Sequence, residues 1–188
     1  MAWGKNGTPD TLGSAGDLMT ISDMSASKFN MFMVHAIGAA TDIDNKLTFN
    51  NNTGSVYAER GSLNGATDTT AVSQTSIEIP NDYNGDRFLI NYVCAIVGEE
   101  KLVIQFTSNN AAAGAGTAPA RLELVGKFVP SPDATITRID WTNTQSGSYQ
   151  ISSNLSALGS DITPAAAIPG IDNVQDNSLF IEPSTARR

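Results

Sequence analysis

Apolar and polar residues alternate with a period of two along most of this chain, and no stretch sustains the three-to-four spacing of an amphipathic helix. In "KFNMFMVHAI", Phe29, Met31, Met33, His35 and Ile37 share one face, and Phe32, Val34 and Ala36 share the other. That pattern predicts a strand buried on both sides, with His35 at least partly in the core. "LTFN" predicts a short strand. "SVYAERGS" predicts an alternating one, with Val56, Ala58 and Arg60 opposed to Tyr57 and Glu59. "SQTSIEI" carries Ile77 and Ile79 on one face until Pro80 stops it.

The clearest element is "DRFLINYVCAIVGEEKLVIQFTS", two apolar runs around "VGEE", which predicts a hairpin with glycine at its turn. Phe88, Ile90, Tyr92, Cys94 and Ile96 fall on one face of its first strand. Leu102, Ile104 and Phe106 fall on one face of the second, with Lys101, Val103 and Gln105 opposite. If apolar faces point inward, Phe88, Tyr92 and Phe106 belong to the core, as does Phe128 from the later strand "ARLELVGKFV". Between them, Gly114, Gly116 and Pro119 interrupt "NNAAAGAGTAP" too soon for its alanines to form a helix, and it reads as a loop. "TITRIDWTN" aligns Thr135, Thr137, Ile139 and Trp141, and "GSYQISSNLSALGSD" supplies a last strand.

About nine short strands without a helix predict an all-β protein, an antiparallel β-sandwich of jelly-roll type. Its length fits one domain. The expected organisation is an N-terminal arm over residues 1–16, a sandwich over 17–160 and a C-terminal arm over 161–188. Both arms carry proline and glycine with isolated apolar anchors. Trp3, Ile171, Val174, Leu179 and Phe180 are too apolar to stay in water, so they are the expected contacts with partner subunits.

One stretch, "LTFNNNTGSVYAERGSLNG", poses a choice between a ligand-gripping loop and a tight connection. Asparagine tolerates left-handed backbone and caps its own turns, so Asn50-Asn51-Asn52-Thr53-Gly54 reads as a link between strands. It contains no carboxylate, unlike a calcium loop.

Composition narrows the function classes. The net charge of −8 disfavours direct contact with nucleic acid, and Lys and Arg are scattered rather than clustered. Charged residues are only 16% of the chain, and Ser, Thr, Asn and Gly take their place, which suits strand faces and turns. The start of the chain has neither the basic head nor the apolar run of a signal peptide, and no window approaches a membrane span. The single cysteine, Cys94, excludes an intrachain disulfide and reads as a buried, unreactive thiol.

The same stretches carry a likeness. The pattern F-N-x-x-x-G-x-x-Y spans Phe49 to Tyr57, I-T-R-I spans Ile136 to Ile139, and G-S-Y-x-x-x-S-x-L begins at Gly147 and leads to Gly159. In this order they resemble structural proteins of tailed bacteriophages that are common in environmental viral sequences. The resemblance covers most of residues 12–161 and rests on turns and strands. It implies a virion component with a β-sandwich fold and carries over no functional residues. "DNSLFIEPSTARR" is similar to a junction that leads, in longer relatives, into a further domain.

Candidate chemistry is sparse. His35 is the only histidine, so a nucleophilic triad has one possible base, and it sits in an apolar strand. Asp42 and Asp44 lack the glycine and distal glutamate of a calcium loop, and Glu99-Glu100 sit in a turn. No catalytic residue, metal site or cofactor is expected. Tyr57, Trp141 and Tyr149, with Trp3, are the aromatics left to stack on a sugar, though each has a packing explanation. On that basis Tyr149→Ala is expected to cost little of the fold.

The expected function is therefore that of a non-enzymatic virion protein. The leading form is a capsid decoration or cement component acting as a homo-oligomer, a trimer by analogy, on other virion proteins of capsid or tail. The alternative is an adhesion module of a tail or fibre, which would bind host carbohydrate through Tyr57, Trp141 and Tyr149.

Overall fold

The alternating pattern forms strands throughout the computed structural model, which describes residues 3–38, 43–78, 85–96, 98, 100–110 and 114–162. Thirteen strands and no helix occur among these residues. Two antiparallel sheets of unequal size pack face to face as a β-sandwich. The larger is built on β4 (Ser27–Ala36), β6 (Tyr57–Leu63), β7 (Thr69–Gln74), β9 (Arg87–Cys94), β10 (Lys101–Asn109), β11 (Ala120–Phe128) and β13 (Asn154–Ile162). Its order is β13-β4-β9-β10-β11-β6-β7, and the two-residue strands β1 (Gly4–Lys5) and β2 (Asp10–Thr11) lie along the free edge of β13. The smaller sheet runs β3 (Leu18–Ile21), β12 (Ile139–Thr142), β5 (Lys46–Phe49), β8 (Ile77–Glu78).

The core lies between the sheets. Phe32, Val34, Leu89, Val93, Val103, Leu122, Leu124 and Phe128 of the larger sheet meet Met19, Ile21, Leu47, Phe49, Ile77, Ile139 and Trp141 of the smaller, all buried. At one end the rings cluster. Phe49 lies 5.5 Å from Phe128 and 6.0 Å from Phe32, and Tyr57 stacks on Phe128 at 4.9 Å. These are separations at which aromatic pairs attract beyond simple area burial.

The asparagine run is the link by which the chain leaves β5 in one sheet and enters β6 in the other. Asn50 and Asn51 have φ of 54° and 53°, the left-handed geometry their side chains tolerate. Asn52 Oδ1 accepts from Gly54 N, and the Tyr57 hydroxyl accepts from Phe49 N and donates to Asn52 O. The segment is scaffold.

The central hairpin forms, with Leu102 opposite Cys94 and Asn109 opposite Arg87, but its faces are the reverse of those expected. Leu89 and Val93 of β9 point inward beside Arg87 and Asn91, and Val103 of β10 points inward beside Lys101, Gln105 and Thr107. Phe88, Tyr92 and Phe106 point outward and are exposed; of the four aromatics assigned to the core on this basis, only Phe128 is there. The neighbouring strand decides this. Gln105 pairs with Leu124 and Phe106 with Glu123, so the register that buries Leu122 and Leu124 turns Phe106 outward. Lys101 tolerates full burial because its ammonium reaches Ile96 O and Asp133 Oδ1, each at 2.6 Å. His35 is exposed rather than in the core, and Cys94 is half-buried on the outer face.

The N-terminal arm, over its described residues 3–16, is laid on its own sandwich. Asn6 is buried, accepts from Ser25 N, and donates to Ser25 O and Asn30 Oδ1. Its backbone N–H bonds to Ala157 O, and Leu12 N bonds to Ser153 O. Close approach is possible because Gly159 lacks a side chain, a Cβ there falling 2.5 Å from Ser27 Oγ and 2.8 Å from Asn6 Nδ2. Residues 163–188, most of the expected C-terminal arm, lie outside the described residues.

Candidate interaction surface

Cross-strand register assembles the outward side chains of the larger sheet into rows. One row reads Phe29, Cys94, Leu102, Lys127; the next Met31, Tyr92, Ile104, Val125, Arg60; the next Met33, Ile90, Phe106, Glu123; and the last His35, Phe88, Ser108, Arg121. Phe88, Tyr92, Leu102, Ile104, Phe106 and Val125 are between 41 and 56% exposed. Phe29, Met31, Met33, Ile90 and Cys94 are half-buried between them. Among the described residues, the outward side chains of β4, β9 and β10 in these rows carry no carboxylate, ammonium or guanidinium. A charge does stand at the corner of β4, where the Lys28 ammonium lies 5.0 Å from the centre of the Phe29 ring.

Along β11, β6 and β7 charge returns at the border in ion pairs. Lys127 bonds to Glu100 at 3.0 Å, Arg60 lies 3.6 Å from Asp68, and Arg121 lies 3.6 Å from Glu123. Beyond Val125 the β6–β7 hairpin borders a shallow groove of about 590 Å³, lined by Ala58, Thr70, Val72, Leu102, Ile104 and Val125. Glu59, also beside this groove, turns its carboxylate the other way, toward the smaller sheet, where it accepts from Glu78 N at 2.8 Å. Burial pushes the Glu59 carboxyl up to about 7.

The outer face of the smaller sheet is different. A polar trough of about 330 Å³ is lined by Thr48, Thr142, Lys46, Arg138 and Asp140. Its two cations are already neutralised. Arg138 forks onto Asp140 with bonds of 2.7 to 3.0 Å, which raises its affinity for its proton. Lys46 lies 3.1 Å from Glu78 and 3.5 Å from Asp44; burial acts against its charge, but the two carboxylates more than offset it. An anionic ligand would have to break these pairs. No cluster of three or more His, Cys, Asp or Glu suited to a metal occurs among the described residues.

Of the residues singled out in the sequence for sugar stacking, Tyr57, Trp141 and Tyr149 are all buried. Trp141 Nε1 donates to Asn45 Oδ1 at 3.0 Å, and the Tyr149 hydroxyl bonds to Asp44 O and to the same Asn45 Oδ1. The fold brings Trp141 and Tyr149 together, but around an internal amide rather than a ligand. Burial raises the Tyr149 hydroxyl well above its usual range and the Tyr57 hydroxyl to about 12. Trp3 is 43% exposed. Ile171, Val174, Leu179 and Phe180 fall outside the described residues. The outward face of β9 and β10 is what the sequence reading missed. Alternation carries no signal for it, because both sides of β9 and β10 bear apolar residues; the pairing of Leu122 and Leu124 with Thr107 and Gln105 is what places the other side of β10 outside. Comparison with family models, with curated proteins and with solved structures finds no match to this chain.

Proposed function

We propose that the chain is a non-enzymatic structural protein of a virion, a capsid decoration or cement component that stabilises the particle through contacts between subunits. The observation that carries this reading is the outer face of the larger sheet. An aromatic-rich centre without charge, bordered by paired charges, is the anatomy of a protein–protein contact. A half-exposed side chain of this size forgoes about 1 kcal/mol of burial, which a neighbouring subunit would recover. The resemblance of "FNNNTGSVY", "ITRI" and "GSYQISSNL" to phage structural proteins supplies the virion context. On this reading the sandwich is a rigid block, and its flat face is its working part. Adhesion through carbohydrate has less support, since three of its candidate rings are in the core.

Add-back to particles tests the role. The purified protein should rebind particles stripped of it and raise the temperature at which they release their genome. Failure to rebind, together with binding of a glycan that depends on Trp3, would overturn the proposal in favour of adhesion.

A further inference from the structure

We infer that the outer face of the larger sheet seats a second copy of this chain, face to face about a two-fold axis. The centre of the contact is Tyr92, Ile104 and Phe106, with Leu102, Phe88 and Val125 around it.

Area comes first. A half-exposed aromatic presents about 100 Å², so the exposed and half-buried apolar residues of this face together offer on the order of 800 Å². That exceeds the largest patch an ordinary monomer leaves in water, and it matches what one partner contributes to a standard-size stable interface. The shape suits a sheet as the occupant. Four long strands, β4, β9, β10 and β11, present a continuous pleated surface, and two such surfaces stack about 10 Å apart with interdigitated side chains.

Charge identifies the partner as a copy. The chain carries a net charge of −8, so two copies repel over most approaches. This face is the exception. Its border sets Arg60, Arg121 and Lys127 against Asp68, Glu123 and Glu100, each pair within 3.6 Å, with Lys28 at the corner beside Phe29, and its centre has no charge. Two copies can therefore meet here without bringing like charges into an apolar contact. A patch that binds itself is isologous, which gives two copies or a multiple of two, in place of the trimer expected by analogy. The pairing deepens the proposed role but is argued from the face alone, and its test uses the free protein, so its failure leaves the particle experiment standing.

The test is sedimentation velocity on the full chain, with thiol labelling of Cys94, which sits half-buried at the edge of the face between Phe29 and Leu102. The wild type should form two-copy species as its concentration rises through the micromolar range. Over that range maleimide labelling of Cys94 should slow by about fivefold or more, following mass action. Ile104→Lys and Phe106→Glu should sediment as monomers with unchanged far-ultraviolet dichroism, and should label at a rate independent of concentration. The labelling of the wild type needs no variant, so a folding defect in either variant leaves the inference testable. A wild type that stays monomeric would overturn it, whether Cys94 labels fast or is shielded at every concentration. The shielded case would assign the face to residues 163–188 of the same chain. A trimer, or a dimer that survives both substitutions, would overturn it equally.

Discussion

Asn50 holds Thr137 across 87 residues of sequence, its Oδ1 accepting the Thr137 N–H at 2.9 Å while its Nδ2 donates to Thr135 O at 2.6 Å. The same oxygen accepts from Arg138 N at 3.1 Å, and Asn50 N donates to Arg138 O. One side chain thus fixes the segment entering β12 against the link that leaves β5. Because φ at Asn50 is 54°, the residue serves both as a left-handed hinge and as a clamp. Asn50→Gly keeps the hinge and removes the clamp, and should destabilise by about 1–3 kcal/mol. Asn50→Ala should lose about 1 kcal/mol more, because alanine resists that φ. Urea unfolding of the two variants checks both values, and equal losses would show that backbone geometry is irrelevant here.

That clamp marks how far the sequence could be read. The turn was legible, since asparagine, threonine and glycine are local signals, and the strands were legible from period two. Its long-range partner was not, because nothing local in "TITRI" says that Thr137 will meet Asn50. The inverted hairpin has the same origin. Both sides of β9 and β10 carry apolar residues, so alternation alone leaves the choice of face open. A one-residue step in pairing with β11 settles it, burying Gln105 beside Leu124 and exposing Phe106 beside Glu123. The inward Lys101 looked like a solvent residue because its partner, Asp133, arrives from a loop.

Tyr149 was expected to be dispensable, and its position reverses that expectation. The ring is fully buried, and its hydroxyl reaches Asp44 O at 3.1 Å and Asn45 Oδ1 at 3.3 Å. Tyr149→Ala should cost about 3–5 kcal/mol, the range for an aromatic removed from a core. Tyr149→Phe should cost about 1–2 kcal/mol, the loss of its hydrogen bonds. Thermal unfolding of both variants decides, and an alanine variant as stable as wild type would contradict the packing described.

The two tryptophans should separate in fluorescence. Trp141 is fully buried with its indole N–H bonded to Asn45, whereas Trp3 is 43% exposed. Iodide should quench one component and spare a blue-shifted one. Trp3→Phe should remove the quenched component, and Trp141→Phe the spared one. A spared component that persists in Trp141→Phe would mean that Trp3 is covered.

Glu59 should give stability a dependence on pH near neutrality. Burial holds its carboxyl at about 7, above the 4.5 of the unfolded chain. The folded state therefore binds this proton more tightly than the unfolded state does. The stabilisation is complete below about pH 4.5 and is lost as pH rises through about 7. Part of the group still meets solvent, and the N–H of Glu78 favours the charged form, so the expected loss is discounted to about 1–2 kcal/mol between pH 5 and 8. Asp23, held below its usual range by hydrogen bonds from Thr8, and Asp133, held below it by Gly98 and Lys101, titrate in the opposite sense and at lower pH. Glu59→Gln separates the effects, since glutamine keeps an acceptor for Glu78 N–H and has no proton to lose. Urea midpoints at pH 5, 6, 7 and 8 should fall for the wild type relative to Glu59→Gln, and the two curves should converge toward low pH. Parallel curves across that range would place the Glu59 carboxyl in water.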